Sequence, residues 1–279
     1  MRFAVLGGGS KGNASVVQSG GQTLLIDAGL SAKQLALRLE LLGLAPNALD
    51  AILLTHEHGD HTRGLDVFLK KWPVPVIANR LTARVVQEKM KHQAEWTCFE
   101  SGQTFPWRDF SIETFALPHD AVEPVGYLIS RAEKTVAVAT DLGHVTTSVQ
   151  RALLKAHGLV LEANYDWSLL ESDTKRPFAT KQRISSRHGH LSNEQVTDLL
   201  RDLCAPDLPQ IQLQSLVLTH LSSDCNTPET ATQQARTVTP DHIQIHCAGQ
   251  DEPTAWHTVT APPQPGADAL LGELFAWNQ

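Results

Sequence analysis

The chain has 279 residues, 42% hydrophobic and 19% charged, which is enough to bury a core and too apolar for wholesale disorder. A net charge of -7 argues against an indiscriminate nucleic-acid binder, though not against a local basic patch. Four scattered cysteines, no export-type N-terminus and no stretch near the roughly 20 apolar residues of a membrane span lead us to expect a cytoplasmic protein without a membrane partner.

Residues 3–6 read as an apolar strand ahead of the glycines "GGGSKG" (7–12). The β-type runs "NASVVQS" and "QTLLIDAG" flank Gly20-Gly21 and predict a hairpin. Ser31 with Gln34 fits a capping box, and leucines recur at helical spacing until Gly43. A strand follows at 51–55, a helix near 61–71, a strand near 74–78 and a helix near 80–91. Strands are expected at 110–116, 125–130, 135–139 and 158–162, with a helix at 146–156. Residues 171–190 read as an irregular basic loop. Ser192 and Gln195 cap the helix "NEQVTDLLRDL"; "QSLVLTH" is a strand, 228–238 a helix and "HIQIHC" a strand. "APPQPG" then links to a last helix at 267–277. Two mixed halves suggest two sheets with helices outside.

The glycine motif matches G-x-G-x-x-G, but a dinucleotide site needs a helix to start there, and a β-rich run follows instead. The plain reading is a tight turn. A second reading turns its amides toward an anionic substrate, with Ser10, Lys11 and Asn13 nearby.

"HEHGDH" (56–61) carries more chemistry. His56 and His58 are two apart on extended chain, so both rings point the same way. Asp60 and His61 follow Gly59, where the chain can turn and start a helix. Imidazoles and a carboxylate are good ligands for a borderline divalent metal. A solvated polar loop is the plain alternative, but uncompensated charges at the end of a buried strand are costly.

"THEHGDH" resembles the signature of the metallo-β-lactamase superfamily, and other superfamily features match in order. They are Asp27 in "LLIDAG", His119 in "ALPHDA", Asp141 in "VAVATDLG" and His220 in "LVLTHLS". A narrower resemblance is to the YycJ (WalJ, VicX) group of DNA exonucleases, through "LGGGSKGNAS", "LPHDAVEPVGY", "LEANYD", "GHLSN" and "LTHLSSDCNTPE". The chain departs from that group's pattern at Gly8, usually Ser, and at Tyr165, usually His. The resemblance implies an α/β fold, a four-layer αβ/βα sandwich, spanning a hydrolase domain over 1–260. Residues 261–279 add a short linker and helix.

It also implies two divalent ions per chain, zinc being the first expectation and manganese the second. One would be held by His56, His58 and His119, the other by Asp60, His61 and His220, with Asp141 between them. Asp27 is expected to orient a ligand rather than bind. The expected reaction is phosphodiester hydrolysis by a metal-bound hydroxide, with DNA as substrate. Asp60 then counts as catalytic as well as ligating. His190 is the candidate acid for the leaving oxygen, oriented by Glu162; a loop histidine and an ordinary charged strand end are the plain alternatives.

Residues 175–187 hold Lys175, Arg176, Lys181, Arg183 and Arg187 and no acid, which suits a phosphate backbone, with Phe178 as a stacking side chain. A solvated surface loop is the competing reading. The alternative function is a small-molecule phosphodiesterase or a thioester hydrolase, and a non-catalytic metal-binding protein is the third.

Overall fold

Alternation along the strands divides their side chains between two faces, and both faces are buried. In β1 (Arg2–Gly7), Ala4 and Leu6 face one way and Phe3 and Val5 the other. Leu25 opposes Leu24 and Ile26 in β3 (Gln22–Ile26), and Ile52 opposes Ala51 and Leu53 in β4 (Ala51–Leu53). The same split runs through β10 (Lys134–Ala139), β11 (Gly158–Glu162) and β12 (Ser215–Thr219), where Val136, Val160 and Val217 point inward. Strands buried on both faces must lie between layers.

A computed structural model describes residues 1–208 and 211–261. It contains two seven-stranded sheets. The first runs β14 (His257–Thr258), β1, β2 (Ala14–Ser19), β3, β4, β5 (Val76–Asn79), β6 (Trp96–Phe99). The second runs β13 (Gln244–Cys247), β12, β11, β10, β9 (Val125–Arg131), β8 (Phe110–Ala116), β7 (Thr104–Trp107). One apolar core lies between the sheets. A second joins the first sheet to α1 (Ala32–Leu41), α3 (Leu65–Lys71) and α4 (Arg80–Lys89), through residues such as Leu35, Phe68 and Val86. A third joins the other sheet to α5 (Thr147–Leu153), α8 (Asn193–Leu203) and α9 (Pro228–Arg236). The expected four-layer αβ/βα sandwich is the observed one. Among the described residues no helix is long and apolar enough to cross a membrane.

The hairpin forms on the expected residues; Gly20 and Gly21 have φ of 57° and 82°, which a turn with two left-handed positions requires. Ser31 caps α1 by accepting from Gln34 N, but the reciprocal bond is missing because the Gln34 side chain accepts from Arg38 Nε. Ser192 and Gln195 do form the full box. The helix expected near 61–71 is two, α2 (Gly59–Thr62) and α3.

Three strands escaped the sequence reading. β6 and β7 are short edge strands and β7 contains Pro106, while β14 has only two residues. The segment 171–190 is not irregular: α6 (Trp167–Ser172) ends in it and α7 (Phe178–Ile184) lies within it. α7 buries no residue, so it has no apolar stripe by which its period could be seen. The helix expected at 267–277 lies outside the described residues.

The parallel pairs β3–β4 and β10–β11–β12 bring the ends of these strands to one edge of the sandwich. Asp27, the 56–61 loop, Asp141, Glu162 and His220 all lie there.

Candidate metal centre

Three acidic or imidazole side chains at this edge sit on unusual backbone. Asp27, Asp141 and His220 have φ of 62°, 61° and 59°, in the left-handed region that non-glycine residues rarely adopt. Each such position costs on the order of 1–3 kcal/mol and persists only where the surroundings hold it. Asp27 is held by its N–H on Leu53 O at 2.8 Å, directly after β3. The 56–61 loop is locked from the other side: Asn13 N donates to Asp60 O at 2.8 Å, and Gly29 packs so closely that a Cβ there would lie 1.6 Å from Asp60 O.

Fixed hydrogen bonds decide which ring nitrogen of His56, His61, His119 and His220 stays free. His61 Nδ1 donates to Asp27 Oδ2 at 2.7 Å, leaving Nε2. Thr55 Oγ1 donates to Asp27 Oδ2 at 2.9 Å and so accepts from His56 Nδ1, also at 2.9 Å, leaving His56 Nε2. His119 Nδ1 donates to Gly189 O at 3.0 Å, and His220 Nδ1 to Glu162 Oε1 at 2.9 Å. The free lone pairs converge. His119 Nε2 lies 3.3 Å from His58 Nδ1 and 3.5 Å from Asp141 Oδ1. His220 Nε2 lies 3.4 Å from Asp60 Oδ2 and 3.5 Å from Asp141 Oδ1. His61 Nε2 lies 2.9 Å from Asp141 Oδ2.

Such an arrangement fits cations. Two sets, His56-His58-His119 and Asp60-His61-His220, each bring their ligand atoms within 4.8 Å of one another, and Asp141 reaches both. His56 Nε2 is buried without a hydrogen-bond partner, which is costly unless an ion satisfies it. Nitrogen and oxygen donors of this kind suit zinc, manganese or iron.

Electrostatics point the same way. Burial alone would push His61 down, but the Asp141 and Asp27 carboxylates override it and raise it to about 10. His220 is also buried, and Asp141, Asp60 and Glu162 carry it well above its ordinary value. Burial opposes ionisation of Asp141 and Glu162, yet the histidines beside them hold Asp141 well below the carboxylate range and Glu162 at about 2. The centre is a pool of negative charge that takes up protons when nothing else neutralises it.

The match to known proteins is extensive. The family model described as a beta-lactamase superfamily domain matches residues 22–221. Exodeoxyribonuclease WalJ of Streptococcus pneumoniae serotype 2 (strain D39) is 34% identical over 236 residues, covering 82% of this chain and 85% of its own. Exodeoxyribonuclease YycJ of Bacillus anthracis is 33% identical over 233 residues, covering 83% and 86%. The chain belongs to the beta-lactamase superfamily. A solved metallo-β-lactamase fold protein, YhfI of Bacillus subtilis, superposes with a TM-score of 0.67 at 19% identity, over 91% of this chain and 98% of that one. Within the superfamily this protein resembles the WalJ and YycJ group, and it is a metal-dependent hydrolase.

For this superfamily member, the structure gathers all seven expected ligands and Asp27. His190 joins them: its Nδ1 donates to Glu162 Oε1 at 2.7 Å, and its ring lines the same pocket. Burial would lower His190, but Glu162 outweighs it and raises it. Asn13 lies at the centre too, its Nδ2 3.3 Å from Asp60 Oδ2. Ser10 lines the pocket, whereas Lys11 is exposed and does not. Of the basic segment, Arg176 and Arg183 line it and Lys175 and Lys181 do not. Phe178 is 74% exposed and flanks a separate groove with Trp167, away from the centre.

Three contributors were not singled out in the sequence. Asn164 donates to His220 O at 2.8 Å; it lies two residues after Glu162, and that spacing was the available signal. Glu57 Oε1 accepts from Val122 N at 3.0 Å and so ties the motif loop to the segment carrying His119. Asp120, beside His119, accepts from Arg183 Nε at 2.7 Å. Neither partner could be read from a linear sequence.

Proposed function

We propose that this protein is a dinuclear metal-dependent phosphodiesterase, acting on DNA from an end. The names of the WalJ and YycJ relatives, aligned over more than four-fifths of the chain, support a DNA substrate. The observation that carries phosphodiester chemistry is the His190–Glu162 pair at 2.7 Å beside the ligand cluster. One ion would be held by His56, His58 and His119 and the other by Asp60, His61 and His220, with Asp141 shared; zinc is our first assignment and manganese the second. When bound, such ions supply an activated water and neutralise charge growing on a phosphoryl oxygen.

The chain's own groups do the rest. Glu162 Oε1 accepts from both His190 and His220, while Oε2 accepts from Leu142 N at 2.8 Å and Leu191 N at 3.3 Å. This carboxylate therefore fixes the acid and a ligand in one frame. It also holds His190 in the tautomer or cation with Nδ1 protonated, so that His190 can give a proton to the departing oxygen from Nε2. Asp27 orients His61 in the same way. We take residues 1–260 as one hydrolase unit. The free cysteines Cys98, Cys204, Cys225 and Cys247 support a reducing, cytoplasmic setting.

The test is end-labelled linear DNA and bis-p-nitrophenyl phosphate, with zinc or manganese, beside His58→Ala and His190→Ala. Shortening from an end, lost in His58→Ala and reduced in His190→Ala, is the expected result. A small phosphodiester is the second reading, favoured by a pocket of only about 260 Å³. Turnover of the small diester with intact DNA would select it.

A further inference from the structure

The basic segment contributes five cations, and tertiary contacts separate them. Lys175 pairs with Asp224, and Arg176 with Asp173 and Asp224, both at 2.9 Å. Lys181 donates to Glu171 O at 2.8 Å and Arg187 to His144 Nε2 at 3.0 Å. Arg183 differs. Its Nε donates to Asp120 Oδ2 at 2.7 Å, while neither terminal nitrogen has a partner among the described residues. Arg183 lines the metal-centre pocket.

Asp120 is itself placed, since its N–H donates to His188 O at 3.1 Å. A guanidinium held by Nε, with its outer fork unengaged, is arranged for bidentate binding of an oxyanion. In the glycine turn the amides of Gly8, Gly9, Lys11, Gly12 and Asn13 are all engaged. Ser10 lines the same pocket, next to the bridge between Gly9 and Leu221.

We propose that Arg183, aimed by Asp120, grips the substrate phosphate that flanks the scissile one and so sets the preference for a polynucleotide over a lone diester. The inference rests on the phosphodiesterase reading. Arg176 shares the pocket wall, but both its terminal nitrogens are occupied by acids.

The experiment compares wild type, Arg183→Gln and Lys175→Gln on short single-stranded DNA and on bis-p-nitrophenyl phosphate, which has no flanking phosphate. Arg183→Gln should lower the ratio of kcat/KM on DNA to that on the small diester by about tenfold to a hundredfold, mostly through KM. A methylphosphonate at the second linkage from each end should cost the wild type a similar factor and Arg183→Gln little more. Binding of the chelator-treated protein to the same DNA, read by fluorescence anisotropy, should lose about one unit of salt slope in Arg183→Gln. Equal losses on both substrates, an unchanged ratio, or the same ratio change in Lys175→Gln would overturn the inference. A wild type inactive on both substrates would instead remove the phosphodiesterase reading beneath it.

Discussion

The metal-centre cradle and the basic rim above it are both dense in ionisable side chains, and they are built on opposite principles. In the cradle, His56, His61, His119, Asp141 and His220 are buried, and four of these five side chains keep a hydrogen bond that fixes the orientation of the group. On the rim, Lys175 and Arg183 are each held by one half-exposed acid from elsewhere in the chain, and Arg176 by Asp173 and Asp224. Burial makes every cradle contact count, because an unpaired charge there has no water to turn to. Exposure makes most rim contacts interchangeable with solvent. A residue's role is therefore set by what its free atoms face rather than by its charge.

The comparison can be broken at its strongest point first. His58→Ala or Asp141→Ala should lower turnover by at least about a hundredfold, since loss of a bound cation removes several kcal/mol of charge stabilisation. Ion content by plasma mass spectrometry should fall in parallel, with circular dichroism unchanged. Normal ion content in both variants would mean that the cradle is not the metal centre.

Ion uptake should also release protons. Without an ion His61 titrates at about 10, so it is protonated near neutral pH, and it must be neutral to ligate. Affinity should rise with pH toward that value, and calorimetry in buffers of different ionisation enthalpy should show the protons. The ion-free protein should behave in the complementary way. A raised folded-state pKa contributes stability that is full below the unfolded value of about 6.5 and is lost as pH rises through about 10. Thermal melts of chelated protein should therefore decline across that window, and a flat profile would count against the buried His61–Asp27–Asp141 array.

Asp27→Asn and Glu162→Gln keep their shape but weaken the orientation of His61, and of His190 with His220. Each should cost roughly tenfold to a hundredfold in ion affinity or activity. For Glu162→Gln the pH–rate profile should also move, because His190 loses the carboxylate that raises it. At the weak end, Lys175→Gln and Lys181→Gln should change kcat/KM by less than about twofold, as expected for surface charges already paired or bonded elsewhere. A large effect at either position would erase the distinction between cradle and rim.

The sequence by itself determined the layers and the ligands. Continuous apolar runs in β1, β3, β10 and β12 mark strands buried on both faces, and "HEHGDH" specifies a cluster of metal-type donors, because both signals are local to a few residues. The order Asp27, His119, Asp141, His220 was legible only through resemblance, since nothing in their spacing says that they meet. Tertiary structure decided the rest. α7 has no buried face, so its sequence carries no apolar period by which it could be seen. The run 175–187 contains no acid of its own, and its neutralising partners Asp120, Asp173 and Asp224 lie outside it. Which ring nitrogen faces the centre, and which arginine keeps a free fork, depends on hydrogen bonds between residues distant in the chain. Local patterns carry local physics, whereas charge compensation and lone-pair direction belong to contacts that only the folded chain makes.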